Sequence, residues 1–264
     1  MRRGCHIIME TWKIGVILAL VLGLGGYGLL QQKQENAPPL PVTGQTATPV
    51  TNAVSHLVGQ SIGGPKIPAW QTQISPWANT KTPVTVASLK GKPALVEFFR
   101  INCSHCQQAA PFLEALYKRY QPRGLQMAAI QSPGNYKDAT NDETKWPKVQ
   151  GWAKARALTY PIGFDAGSKY FQGTLKGDTY PTMMVTDANG KVVYAETGHD
   201  DKKAVDLAIE LEKQFPGTGD FAARGRDLAR FLAPFVGGGI SDPALLKAFS
   251  DDLAQRLEGK VKAD

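Results

Sequence analysis

The stretch LVEFFRINCSHCQQAAPFL, residues 95–113, decides how this chain is read. Its first half is a nearly continuous apolar run, which together with Ala94 predicts a buried central strand over Ala94–Phe99. Its second half opens a helix predicted from Cys103 to Tyr120, with Ala110, Phe112, Leu113, Leu116 and Tyr117 as apolar positions. Cys103-Ser104-His105-Cys106 stands at the junction. One helical turn brings two such sulfurs within disulfide-bonding reach. Cys103 then occupies the helix N-terminus, where unpaired N–H groups and the helix dipole stabilise a thiolate, the species that attacks. Cys106, one turn further in, is shielded and acts as the resolving thiol.

Other residues of the stretch have two readings each. Glu97 lies between Val96 and Phe98, so burial is expected to raise its pKa and let it take and return the Cys106 proton. The competing reading is a solvated carboxylate at a sheet edge. His105 either adds positive charge beside Cys103, stabilising the reduced form and raising the potential, or simply faces solvent. The cysteine pair itself could be half of a structural metal site, but that needs two further ligands, and the chain has no second C-x-x-C or H-x-x-H. The chain has three cysteines, too few for a disulfide-stapled scaffold, and Cys5 is given no role. No cofactor and no resident metal are implied.

Outward from this stretch, strand and helix signals alternate. Val84–Val86 is read as a strand, with Gly91-Lys92-Pro93 turning into the central one. Leu125–Gln131 is a strand, and Trp146–Leu158 a helix with Pro147 in its first turn. Pro161–Asp165 and Thr182–Asp187 are strands. Ala188-Asn189-Gly190 then turns into Lys191–Thr197, and Ala204–Phe215 closes with a helix. This order predicts an α/β domain: a mixed sheet with helices on both faces.

Residues 95–113 resemble the active site of the thioredoxin-like superfamily. Glu97 stands six residues before the first cysteine, where the family carries a buried acid, and Pro111 stands five after the second, where its first helix bends. Tyr180-Pro181-Thr182 matches the family's cis-proline segment, and the order of elements agrees over about residues 65–215. The resemblance implies that Tyr180 and Pro181 bind substrate, a substrate strand pairing with the backbone before Pro181; an ordinary trans turn proline is the other reading. Within the superfamily, VTVASLKGKPALVEFF (residues 84–99) and the inserted helix and strand of Gln131–Asp165 are similar to the membrane-anchored, extracytoplasmic TlpA/ResA-type thiol:disulfide oxidoreductases. Asn102 replaces the usual tryptophan before the first cysteine, and Ala109 the acid often found three residues after the second.

The flanks complete the plan. Ile14–Leu30 carries no charge, and Arg2, Arg3 and Lys13 precede it. A transmembrane anchor is therefore read over 14–32, with residues 1–13 cytoplasmic and the rest outside; a cleavable signal peptide is the alternative. Residues 33–62, with Pro38, Pro39, Pro41 and Pro49, read as a flexible linker to a thioredoxin-like domain over 63–215. Residues 216–264 read as a helical hairpin, one helix presenting Leu228, Phe231 and Leu232, the other Leu246, Phe249 and Leu253. Ser241 or Asp242 caps the second helix before Pro243, and packing onto the domain is preferred over a partner-binding surface.

His6, His56 and His199 read as cytoplasmic, linker and turn residues, and Trp70, Trp77, Trp146 and Trp152 as packing residues. The net charge of +7 is spread without a basic stripe, which argues against nucleic acid. The expectation is a disulfide reductase fed by a membrane electron donor and acting on extracytoplasmic proteins, cytochrome c maturation included. The alternatives are a disulfide oxidase or isomerase, and a copper-binding chaperone using the two cysteines and a histidine. A peroxidase is disfavoured by Arg100, three residues before Cys103.

Overall fold

A computed structural model describes residues 54–70, 73–133, 145–215, 217 and 220–260. The anchor read over 14–32, most of the linker, Cys5 and His6 lie outside them. The central element is β2, Ala94–Phe99, buried along its whole length. It pairs in parallel with β3, Gln126–Gln131, from Ala94↔Gln126 to Phe99↔Gln131. On its other side it pairs antiparallel with β5, Thr182–Thr186. Adding β4 (Ile162–Asp165), β1 (Ile74–Ala78) and β6 (Val192–Thr197) gives one sheet of order β1-β4-β3-β2-β5-β6. A strand buried on both faces has no polar side to show, which is why β2 reads as an apolar run rather than an alternation.

Alternation along β2 sorts the core into two layers. Leu95 and Phe99 face a layer built with Cys106, Leu113, Leu116, Val149, Leu207, Leu211, Leu228 and Leu253. Val96 and Phe98 face another, with Trp70, Ile62, Ile67, Tyr170 and Phe171. The first layer is roofed by α2 (Ser104–Tyr120), α3 (Trp146–Ala155), α4 (Asp201–Lys213), α5 (Phe221–Leu232) and α6 (Pro243–Glu258). The opposite face is covered by the short α1 (Val86–Leu89) and a π-helical turn at Lys169–Thr174. This is the thioredoxin-like arrangement, a mixed sheet with helices on both faces.

Several predicted elements change. Val84–Val86 is not a strand. Thr85 and Ser88 form a reciprocal capping box, Ser88 N–H to Thr85 Oγ1 at 3.1 Å and Thr85 N–H to Ser88 Oγ at 2.9 Å, which starts α1 instead. The first strand is Ile74–Ala78, antiparallel to β4 at the sheet edge. There Gly163 is required, since a Cβ would fall 2.6 Å from Ile74 and 2.8 Å from Trp77. The linker is also shorter than the reading of 33–62. Val54, Leu57 and Ile62 are buried, and backbone bonds of 2.8 Å from Gly59 N–H to Val192 and from Val192 N–H to Gln60 tie this segment to β6. His56 accordingly lies in a 3-10 turn, Ser55–Leu57, of the folded domain.

Residues 220–260 form the expected helical pair, with Asp242 as the cap: it accepts from Ala244 N–H at 2.8 Å and Leu245 N–H at 2.9 Å. The two helices cross closely at Gly225, where a Cβ would meet Ser250 O at 2.5 Å. They pack on the domain through Leu228, Leu232, Leu253 and Leu257. Each such leucine, fully buried, contributes roughly 1.5–3 kcal/mol. Ion pairs stitch the seam: Arg224–Glu212 at 3.1 Å, Arg119–Asp227 and Arg256–Asp206.

Candidate active site

The loop between β2 and α2 delivers the dithiol. Gln131 Oε1 accepts the Ile101 N–H at 2.9 Å, and Gln107 Nε2 donates to the Ile101 carbonyl at 2.8 Å, so one side chain on each side pins the loop. The next turn begins the helix, and Cys103 is its N-cap: its Sγ accepts the Cys106 N–H at 3.3 Å. A sulfur here does what a serine or aspartate cap oxygen does elsewhere, satisfying an orphan helix N–H. Cys103 is partly exposed, Cys106 is buried, and both are free thiols.

The Tyr180–Pro181 peptide bond is cis, and the Tyr180 carbonyl lies 3.6 Å from Cys103 Sγ. The Pro181 carbonyl accepts the Gly198 N–H at 2.7 Å, which fastens this segment to the end of β6. Tyr180 is wedged between Phe171, ring centroids 4.9 Å apart, and the Arg100 guanidinium, 5.7 Å above its ring. The backbone facing Cys103 is therefore held from both sides.

Under the dithiol lies Glu97, 2% exposed. It shares a face of β2 with Leu95 and Phe99, the face that Cys106 packs on. Removal from water pushes its pKa up to about 8. Cys106 is pushed far above the ordinary thiol range, first by burial, then by the charge of Glu97, then by its hydrogen bond with Cys103. A buried thiol that resists ionisation beside an acid that titrates near neutrality is a donor–acceptor pair for one proton.

The structure thus brings Cys103, Cys106, Glu97, Tyr180 and Pro181 together. His105 sits on the exposed side of the first turn of α2. Among the described residues no group of three or more His, Cys, Asp and Glu side chains is placed to hold a metal ion. Sequence reading missed the Gln131–Ile101–Gln107 clamp, because no local signal links residue 131 to residue 101; only the parallel pairing of β2 and β3 does. It also gave no role to Tyr160, which lies buried in the same layer as Cys106.

The Redoxin family model matches residues 63–209. The chain belongs to the Redoxin family. Within it, residues of this chain are 28% identical over 123 positions to the thiol-disulfide oxidoreductase ResA of Bacillus cereus, covering 47% of this chain and 65% of ResA. They are 29% identical over 143 positions to protein DipZ of Mycobacterium tuberculosis, covering 52% of this chain and 19% of DipZ. The chain therefore spans about 65% of the length of ResA. Among solved structures, a thioredoxin-like protein in its oxidised form aligns at 24% identity, covering 53% of this chain and 87% of its own, with a TM-score of 0.45. A thiol-disulfide isomerase from Corynebacterium glutamicum aligns at 16% identity, covering 55% and 94%, with a TM-score of 0.44. The Redoxin match ends inside α4, so α5 and α6 lie beyond it.

Proposed function

We propose that this chain is an extracytoplasmic thiol–disulfide oxidoreductase, exchanging disulfides with protein substrates through Cys103 and Cys106. The observation that carries the reading is the pairing of a partly exposed Cys103 at a helix N-cap with a buried Cys106 above a buried Glu97. The Cys103 thiolate attacks a substrate disulfide, forming a mixed disulfide and releasing one substrate thiolate, which takes a proton from solvent. Cys106 then gives its proton to the Glu97 carboxylate and attacks the Cys103 sulfur. The Cys103–Cys106 bond forms, the second substrate thiolate leaves, and two electrons have passed to the substrate. Return to the dithiol needs two electrons from a donor.

The resemblance to TlpA/ResA-type proteins supports net reduction of extracytoplasmic proteins, apocytochrome c among the candidates, with a membrane protein as donor. Arg2, Arg3 and Lys13 ahead of the uncharged run support an anchor that leaves the redox domain outside the cytoplasm. A second reading, a disulfide oxidase or isomerase, is favoured by His105 between the cysteines. Insulin reduction driven by dithiothreitol tests the proposal. The full chain should catalyse it and Cys103→Ser should not; turnover that survives in Cys103→Ser would overturn the assignment of the nucleophile.

A further inference from the structure

Asp165, at the end of β4, is 0% exposed, and the exchange reaction gives it no part. Its carboxylate accepts three hydrogen bonds: from Tyr170 N–H at 3.0 Å, from Phe171 N–H at 2.9 Å and from the Ser132 hydroxyl at 2.9 Å. The Ser132 and Ser168 hydroxyls meet at 2.8 Å. Ser132 N–H donates to the Phe99 carbonyl at 2.9 Å, where the loop to Cys103 leaves β2. Between Asp165 and its two backbone donors the chain passes through two successive left-handed residues, Gly167 at φ 67° and Ser168 at φ 54°. It then enters the π-helical turn Lys169–Thr174. A left-handed serine and a π-helical turn are both costly backbone, kept only where the surroundings hold them. Here the buried carboxylate holds them, by drawing two N–H groups of the turn inward.

The turn delivers Phe171. Its ring stacks on Phe98, centroids 4.6 Å apart, and meets Tyr180 at 4.9 Å. Gly177 leaves the room this needs, since a Cβ there would fall 2.2 Å from Phe171 Cε2. Tyr180 in turn places its carbonyl 3.6 Å from Cys103 Sγ, so a polypeptide whose disulfide reaches Cys103 passes over the Tyr180 backbone. We propose that Asp165 is a positioning residue for polypeptide substrates: through the π-helical turn and Phe171 it fixes the Tyr180–Pro181 backbone where an incoming chain is bound. This role presupposes the exchange reaction at Cys103 and touches no atom that reacts.

Asp165→Asn keeps the shape but puts an NH2 where one oxygen accepted, so a buried donor goes unmet. In insulin reduction by the full chain, driven by dithiothreitol, KM for insulin should rise about tenfold, the scale of one hydrogen bond to a charged group, with kcat little changed. Gly177→Ala drives a methyl group into the Phe171 ring, leaves Asp165 in place, and should raise KM in the same way. A small disulfide has no strand to bind. Single-turnover attack of either reduced variant on dithiobis(nitrobenzoate) should therefore match the wild type, whereas general damage to the dithiol site would slow it. Ser132→Ala removes one donor to Asp165 and should raise KM about threefold; with Gly177→Ala it decides the matter if Asp165→Asn does not fold. An active wild-type chain whose variants keep KM within about twofold, or lose as much on the small disulfide as on insulin, overturns the positioning role alone. A wild-type chain without turnover overturns the oxidoreductase reading and the positioning role with it.

Discussion

The floor of the dithiol site and the seam under the C-terminal helices each bury a carboxylate, and they treat it in opposite ways. Glu212, 4% exposed, accepts from Tyr120 OH at 2.7 Å, Arg123 Nη1 at 3.0 Å and Arg224 Nη2 at 3.1 Å. Those donors come from α2, from the turn after it and from α5, so one charge holds three parts of the chain together. Glu97, 2% exposed, has no cation set against it among the described residues, and burial alone lifts it to about 8. A buried charge with its partners supplied fixes architecture. A buried acid left unpartnered is poised to exchange a proton.

The contrast is broken most severely at the seam. Glu212→Ala leaves Arg224 and Arg123 without their carboxylate and should cost about 3–5 kcal/mol, read as a lower urea midpoint. A loss under about 1 kcal/mol would show that the seam holds without its charge. At the floor the sign reverses. The folded-state pKa of Glu97, about 8, lies above the ordinary 4.5, so between those values the native chain keeps a proton that the unfolded chain has lost. Stability from this group is complete below 4.5 and drains away as pH rises through about 8. Glu97→Gln should therefore gain on the wild type with rising pH, by roughly a few kcal/mol at pH 9 and little at pH 4. The same difference at both pH values would contradict burial as the cause.

The kinetic counterpart is smaller. Wild-type turnover should climb through pH values near 8 as the carboxylate forms. Glu97→Gln should lose that limb and run about tenfold slower above it, with Cys103 alkylation little changed. His105→Ala should act least, shifting the potential of the pair by some tens of millivolts toward more reducing values, 30 mV being about 1.4 kcal/mol. No shift would return His105 to a solvent-facing residue.

The same physics decides which parts of the molecule were legible in its sequence. Strand β2 was legible to the residue because a strand buried on both faces is written as an unbroken apolar run. The helix after it was legible because two cysteines one turn apart need a helix start. Glu97 was legible because an acid inside such a run has nowhere wet to go. Strand β1 was not, since ISPWA carries Pro76 and a half-exposed pattern that only its pairing with β4 explains. Residues 54–62 read as linker because their three buried apolar side chains, Val54, Leu57 and Ile62, stand among polar ones without a helical or strand period. Tyr160 was invisible for a stronger reason: it joins the core layer of Cys106 only because β4 enters the sheet beside β3, a fact of topology rather than of spacing.

Equilibrating the full chain in glutathione buffers of graded potential, and counting free thiols by mass after alkylation, asks directly whether Cys103 and Cys106 are one reversible redox pair. A single two-electron transition, with a midpoint near the ~−270 mV of thioredoxin, is the predicted result for a reductase. Two thiols that stay free across the whole range, or that oxidise independently of each other, would contradict it.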